Sequence, residues 1–280
     1  MTNSDQILTL SKRALDYREH IIKLAHTQNF GIHVGGSLSL AEVFTTLYFD
    51  AANLDPKNPT WQNRDRIVLS KGHGNVGLLT ILAMKGFFPF SVFENFNEVG
   101  SHYSMHSDAE VPGVEHSAGS LGHGLSVAVG MALVAKTDMQ PWQVYCIIGD
   151  GEMMEGSVWE AMMSASHFKL NNLNAIIDRN RLCQEGTTAE TMDLEPLTEK
   201  SRAFGWSVFE VDGHSIRELL DAFSADSGEK PKLIITNTIK GRGIHSLENQ
   251  AKSHFAHLTE EQAQLAIEQI NNERNILVQD

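Results

Sequence analysis

Apolar residues recur along this chain in two rhythms, and each predicts a different element. Near the start, Ile7, Leu10, Ala14, Tyr17, Ile21 and Leu24 fall three or four apart, which lines one face of an α-helix. Elsewhere they come in short unbroken runs that stop at glycine or a polar tip, as strands do when both faces of a sheet are covered. Val144 to Ile148 stops at Gly149-Asp150-Gly151, and Ala175-Ile176-Ile177 stops at Asp178-Arg179-Asn180-Arg181-Leu182. Arg66 to Leu69 turns at Ser70-Lys71-Gly72-His73-Gly74 into a helix over Val76 to Met84, and Lys232 to Thr238 is a further buried strand. Trp206 to His214 reads as strand and turn, with Ser215 capping an amphipathic helix over Ile216 to Phe223. A charged amphipathic helix covers Leu258 to Ile276. Strands alternating with helices predict an α/β fold: a parallel sheet between helical layers, three layers in all.

The segments without a period carry glycine and histidine. Gly31 to Ser39 is a glycine-rich loop holding His33, with Ser37 or Ser39 placed to cap a helix that starts near Leu40. Phe87 to His116 is irregular and holds His102, His106 and His116, and an irregular stretch this long is usually functional or disordered. Gly119-Ser120-Leu121-Gly122-His123-Gly124-Leu125 opens a helix over Ser126 to Ala135, and Cys183 to Glu195 reads as a polar loop.

Ligands collect at the carboxyl ends of parallel strands, so the polar tips at Asp150 and Asn180 emerge at one edge of the sheet. Asn180 follows Asp150 by 180 − 150 = 30 residues, about one strand–helix–strand unit. A carboxylate and an amide oxygen are hard donors of the kind Mg²⁺ takes while it also holds phosphate oxygens. Gly149 and Gly151 let the backbone come close to a diphosphate, and the helix that follows offers N–H groups to an anion. His73, between glycines at another strand end, faces the same edge. Glu152 and Glu155 suit the first turn of the helix after Gly151.

Composition narrows the rest. A chain of 280 residues, 41% hydrophobic and 20% charged, fits a globular α/β layer structure. No apolar run reaches the ~18 residues that span a membrane. The start, Met1 to Gln6, lacks a basic-then-apolar leader and points to the cytoplasm. Two cysteines, Cys146 and Cys183, give neither a disulfide framework nor a zinc site. The formal net charge of -13 argues against nucleic acid, although screening over about 8 Å leaves room for a local cationic cluster that binds anions. There is no Walker loop, His-Glu-x-x-His or Gly-x-Gly-x-x-Gly to anchor an NTPase, zinc protease or Rossmann dehydrogenase.

Gly149-Asp150-Gly151, Glu155-Gly156 and Asp178-Arg179-Asn180, taken in order, resemble the thiamine diphosphate fingerprint. With Ser70-Lys71-Gly72-His73 and Lys240-Gly241-Arg242-Gly243, they resemble the N-terminal, diphosphate-binding domain of transketolases. The resemblance implies a thiamine diphosphate-binding fold over 1–280, with Mg²⁺ or Ca²⁺ held by Asp150, Asn180 and a backbone carbonyl near Leu182. It implies cofactor contacts from His73, Gly122, Gly149, Asp150, Gly151, Glu155, Asn180 and His254. It also implies that His33, His73, His106 and His254 line the substrate cleft, with His102 and His257 as alternatives to the last two. Glu155 and Glu160 match glutamates found where two subunits' cofactors communicate. The chain departs from the family at Val34, Ser120 and His123, where proline, proline and glutamine are usual.

The implied reaction moves a two-carbon ketol unit from a ketose, usually phosphorylated, to an aldose. The family's pyrimidine-binding and C-terminal domains have no counterpart here, and the glutamate that works on the aminopyrimidine belongs to the missing part. The expectation is therefore either the first subunit of a split transketolase or a fragment. As a subunit it would pair with a second polypeptide carrying the pyrimidine domain, as homodimers in an α₂β₂ assembly. The alternatives are a subunit like 1-deoxyxylulose-5-phosphate synthase, one of 2-oxo acid dehydrogenase alpha type, or a non-catalytic cofactor-binding one.

Overall fold

The apolar runs form one sheet of five parallel strands: β1 (Arg66–Leu69), β2 (Val144–Gly149), β3 (Leu173–Arg179), β4 (Ser207–Asp212) and β5 (Lys232–Asn237). The computed structural model describes residues 3–279, so Met1 and Thr2 of the start read above and Asp280 lie outside the described residues. Spatial order is β1-β2-β3-β5-β4. The continuous apolar character of the central strands follows from their position, because side chains on both faces are buried. Val68, Cys146, Ile148, Ile177 and Ile235 pack on the helices Gly124–Thr137 and Gly156–His167. Ile67, Leu69, Ile147, Ile176 and Ile234 pack toward the helices Asn75–Lys85 and Ile216–Ser224 and, behind them, Asn3–Thr27. The three layers expected from the sequence are those of the structure.

The faces to which the chain leaves each strand decide where ligands can enter. After β1 it passes to the face of Asn75–Lys85, while after β2 and β3 it passes to the opposite face, through Gly156–His167 and Leu197–Ala203. After β4 and β5 it returns to the first face, through Ile216–Ser224 and then Glu260–Gln279. Neighbouring strands thus diverge at two places, β1/β2 and β3/β5, and each divergence leaves a crevice beyond the strand ends.

Local details correct several expectations. Neither Ser37 nor Ser39 caps a helix: Gly35–Leu38 is itself a helical turn, and Ala41–Thr46 starts behind Leu40 without a side-chain cap. Ser37 Oγ instead donates to the His33 carbonyl at 2.7 Å, and Ser39 Oγ donates to Asp178 at 2.7 Å. The irregular stretch after Phe87 contains one 3₁₀ turn, Phe90–Asn95, and the polar loop after Cys183 contains a helical turn, Thr188–Thr191, closed by a Thr187–Glu190 capping box. Ser215 does cap Ile216–Ser224, accepting from the Glu218 N–H.

Candidate active site at the ends of three strands

Three loops meet beyond β1, β2 and β3. At β2, Asp150 begins the 3₁₀ turn Gly151–Met154 by accepting from the Gly151 N–H at 2.8 Å, and its other oxygen accepts from the Arg181 N–H at 2.5 Å. Asp150 is 3% exposed. Burial first, and then the charge of Asp178, push its carboxyl up to about 6 against those two N–H groups. At β3, Asn180 Oδ1 accepts from the Leu182 N–H at 3.1 Å while its Nδ2 donates to Asp178 at 3.1 Å, which fixes the orientation of the amide. The Leu182 and Cys183 carbonyls face the Lys240 ammonium at 2.9 and 3.0 Å.

Beneath these groups lies a network centred on the Lys71–Asp178 pair, which the sequence did not foretell. Lys71, fully buried, donates to Asp178 at 2.5 Å and to the Gly36 carbonyl at 3.0 Å. Asp178 also accepts from Ser39 Oγ and, by a short bond, from Thr238 Oγ1. Burial would push the Asp178 carboxyl up, but the Lys71 ammonium and these donors hold it below the usual carboxylate range. Glu152, in the first turn of Gly151–Met154, is buried and accepts from Ser70 Oγ at 2.5 Å, the Gly122 N–H at 2.8 Å and the Gly149 N–H at 3.1 Å. One carboxylate therefore ties together the turn after β1, the loop before Gly124–Thr137 and the end of β2. Gly122 needs its missing side chain, since at φ +79° an added Cβ would lie 2.7 Å from both Glu155 and Ser157. Glu155 itself is exposed at the N-terminus of Gly156–His167 and makes no capping bond there.

Above the network, a cleft of about 410 Å³ is lined by Asp150, Asn180, Leu182, Lys240 and four histidines. The His33 ring lies 6.0 Å from His73, 5.8 Å from His106 and 5.3 Å from His254, and His73 lies 5.0 Å from His254. These residues come from four segments spread from 33 to 254, and the sheet edge gathers them. Burial, and then neighbouring cations and histidines, lower His33 and His254 to about 4 and push His73 well below the usual histidine value. Those three are neutral at pH 7. His33 Nδ1 is buried without a protein partner. The two open choices separate here. His102 is exposed and pairs with Asp108 at 2.8 Å, so His106 is the one in the cleft. His257 is exposed and bonds the His26 carbonyl at 3.1 Å, so His254 is the one in the cleft.

The donor set suits a divalent cation beside an anion. Asp150 is a buried carboxylate whose partners at its two oxygens are backbone N–H groups, and a charge so placed is costly without a cation. The Asn180 amide is held in one orientation, and the Leu182 carbonyl already attracts an ammonium. Burial, and then Lys71, lower Lys240 to about 8, so this ammonium yields its proton more readily than an exposed lysine. Asp178→Asn should leave the Lys71 charge buried and unpaired and lower stability by about 3–5 kcal/mol. Urea unfolding checks this, and adding Lys71→Met should recover much of the loss.

The family described as transketolase, thiamine diphosphate binding domain, matches residues 19–275. The chain is 42% identical over 268 residues to an apulose-4-phosphate transketolase subunit of Phocaeicola vulgatus, covering 95% of each. It is 42% identical over 274 residues to the 6-deoxy-6-sulfo-D-fructose transketolase subunit SqwG of a Clostridium species, covering 96% of this chain and 99% of that one. The solved transketolase of Campylobacter jejuni superposes with a TM-score of 0.88 at 32% identity, covering 94% of this chain and 43% of that one. The chain thus spans less than half of that solved polypeptide but nearly all of the two subunit sequences.

Proposed function

The chain belongs to the transketolase family, and from that premise we propose that it is the N-terminal, thiamine diphosphate-binding subunit of a split transketolase, one diphosphate-binding domain over 1–280. The observation that carries this reading is the meeting of Asp150, Asn180 and four histidines in one cleft at the strand ends. Two relatives that match over nearly their whole length bear subunit names, which supports a second polypeptide as the partner.

In this reading Asp150 and Asn180, with the Leu182 carbonyl, hold Mg²⁺ or Ca²⁺ against the diphosphate. Gly122, Gly149 and Gly151 bring backbone close to it, with His73 and His254 alongside and Glu155 at the edge toward another subunit. When bound, the cofactor supplies the carbon nucleophile for ketol transfer. The four cleft histidines orient the sugar hydroxyls, and His33, His73 and His254, as neutral imidazoles, can take a proton from one hydroxyl and return it to another. The substrates are a ketose donor and an aldose acceptor, sugars or sugar phosphates; the relatives' names point to a phosphate or sulfonate at the far end of the ketose.

Exposed apolar side chains on two neighbouring helices, Val134 on Gly124–Thr137 and Met163 on Gly156–His167, support burial against further subunits in an α₂β₂ assembly. Both cysteines are free, in keeping with a reducing, cytoplasmic compartment. Among the described residues no helix is long and apolar enough to cross a membrane. Purified alone, the chain should show no ketol transfer and only weak cofactor binding, and mixing it with the cognate second subunit should restore both. Robust turnover by this chain, with no second polypeptide detectable by mass spectrometry, would contradict the reading.

A further inference from the structure

The cleft with the histidines uses the crevice at β1/β2, and a second crevice lies at β3/β5. There a cavity of about 650 Å³ opens, and its lining overlaps that of the histidine cleft at Asn180 and Leu182. The volume is that of a small-molecule pocket, and the position is where parallel sheets collect ligands. Its lining carries three arginines and a single carboxylate, in a chain with a formal net charge of -13. The carboxylate, Asp212, accepts from the His214 N–H at 2.8 Å. Arg179 is already neutralised by Glu195 and Glu210. Two guanidiniums remain. Arg242 has only a long contact to Glu248, 3.6 Å. Among the described residues no carboxylate comes within 4.0 Å of Arg181, although, against burial, its charge after that of Arg179 helps hold the Glu195 carboxyl below the usual range.

Arg181 also joins the two crevices. Its backbone has φ +63°, a left-handed conformation that costs a non-glycine residue energy and tends to persist where the surroundings enforce it. Here they do: its N–H donates to Asp150 at 2.5 Å and its carbonyl accepts from the Thr188 N–H at 3.0 Å. The backbone thus serves the first crevice while the side chain lines the second.

We propose that the β3/β5 crevice binds a small organic phosphate ester, whose phosphate oxygens are taken by Arg181 and Arg242. Guanidiniums on two separate loops suit a tetrahedral dianion, to which each can present a fork of donors.

The test is titration calorimetry of the full chain with glycerol 3-phosphate, an ester without the carbonyl a ketol donor needs. Saturable binding of one equivalent is expected. Arg181→Gln and Arg242→Gln should each weaken it about 10-fold or more, as loss of a charge-assisted hydrogen bond does, with melting temperatures checked in parallel. His33→Ala, in the histidine cleft and outside the lining of the second cavity, should retain it. Binding that His33→Ala removes and both arginine variants keep would place the ester in the histidine cleft and overturn the proposal. An absence of saturable binding at millimolar ester would overturn it as well.

Discussion

Asp150→Ala is expected to abolish metal-dependent binding of thiamine diphosphate while the chain stays folded. The carboxylate is buried, its carboxyl is raised to about 6, and the two donors it would release are backbone N–H groups. Removing it therefore relieves a desolvated charge while it takes away the one anionic donor proposed for the metal. Calorimetry of the chain complemented by its second subunit, with Mg²⁺ and then with chelator, measures this. Wild type should lose affinity in chelator, and the variant should show the low affinity in both conditions. Unchanged affinity in Asp150→Ala would remove the metal assignment.

Alanine at His33, His73, His106 or His254 should lower kcat of the complemented enzyme by roughly 10²–10⁴ wherever the histidine transfers a proton. Steady-state rates with far-UV dichroism as a folding control decide this, and a wild-type rate for any one variant would remove that residue from the machinery. The same cluster makes a pH prediction. His33 and His254 sit near 4 in the folded chain and near 6.5 in the unfolded one, so the unfolded state binds more protons between those values. Their contribution to stability is complete above about 6.5 and falls as pH drops toward about 4. Urea midpoints across that range should decline for wild type, and the decline should be shallower in a His33→Ala, His254→Ala double variant.

What the sequence made legible was whatever depends on one short segment. The central strands are unbroken apolar runs because both faces are covered, and their polar tips mark the ligand edge, so β1, β2, β3 and β5 and the placing of His73, Asp150 and Asn180 could be read directly. What it hid depends on pairs. Lys71 and Asp178 are 107 positions apart, and neither declares its partner until the sheet sets β1 and β3 on either side of β2. A signal existed, since a lysine at the end of an apolar strand is expensive to bury alone. Ser39 looked like a helix cap because serine before a helical stretch usually is one; here the Asp178 carboxylate competes for the same hydroxyl. The choice between His102 and His106 rests on an irregular segment, where no periodicity says which side chain turns inward.

The central claim is that this chain holds the metal–diphosphate end of the cofactor, and diffraction from the complemented enzyme grown with thiamine diphosphate and Ca²⁺ tests it most directly. The account predicts one anomalous peak per chain, bound by side-chain oxygens of Asp150 and Asn180 and by the Leu182 carbonyl, at the Ca–O distances of about 2.3–2.6 Å usual for that ion. Lys240 should have moved off that carbonyl, and the diphosphate should lie beside His73 and His254. A calcium ion held by other residues, or a diphosphate outside the histidine cleft, would contradict it.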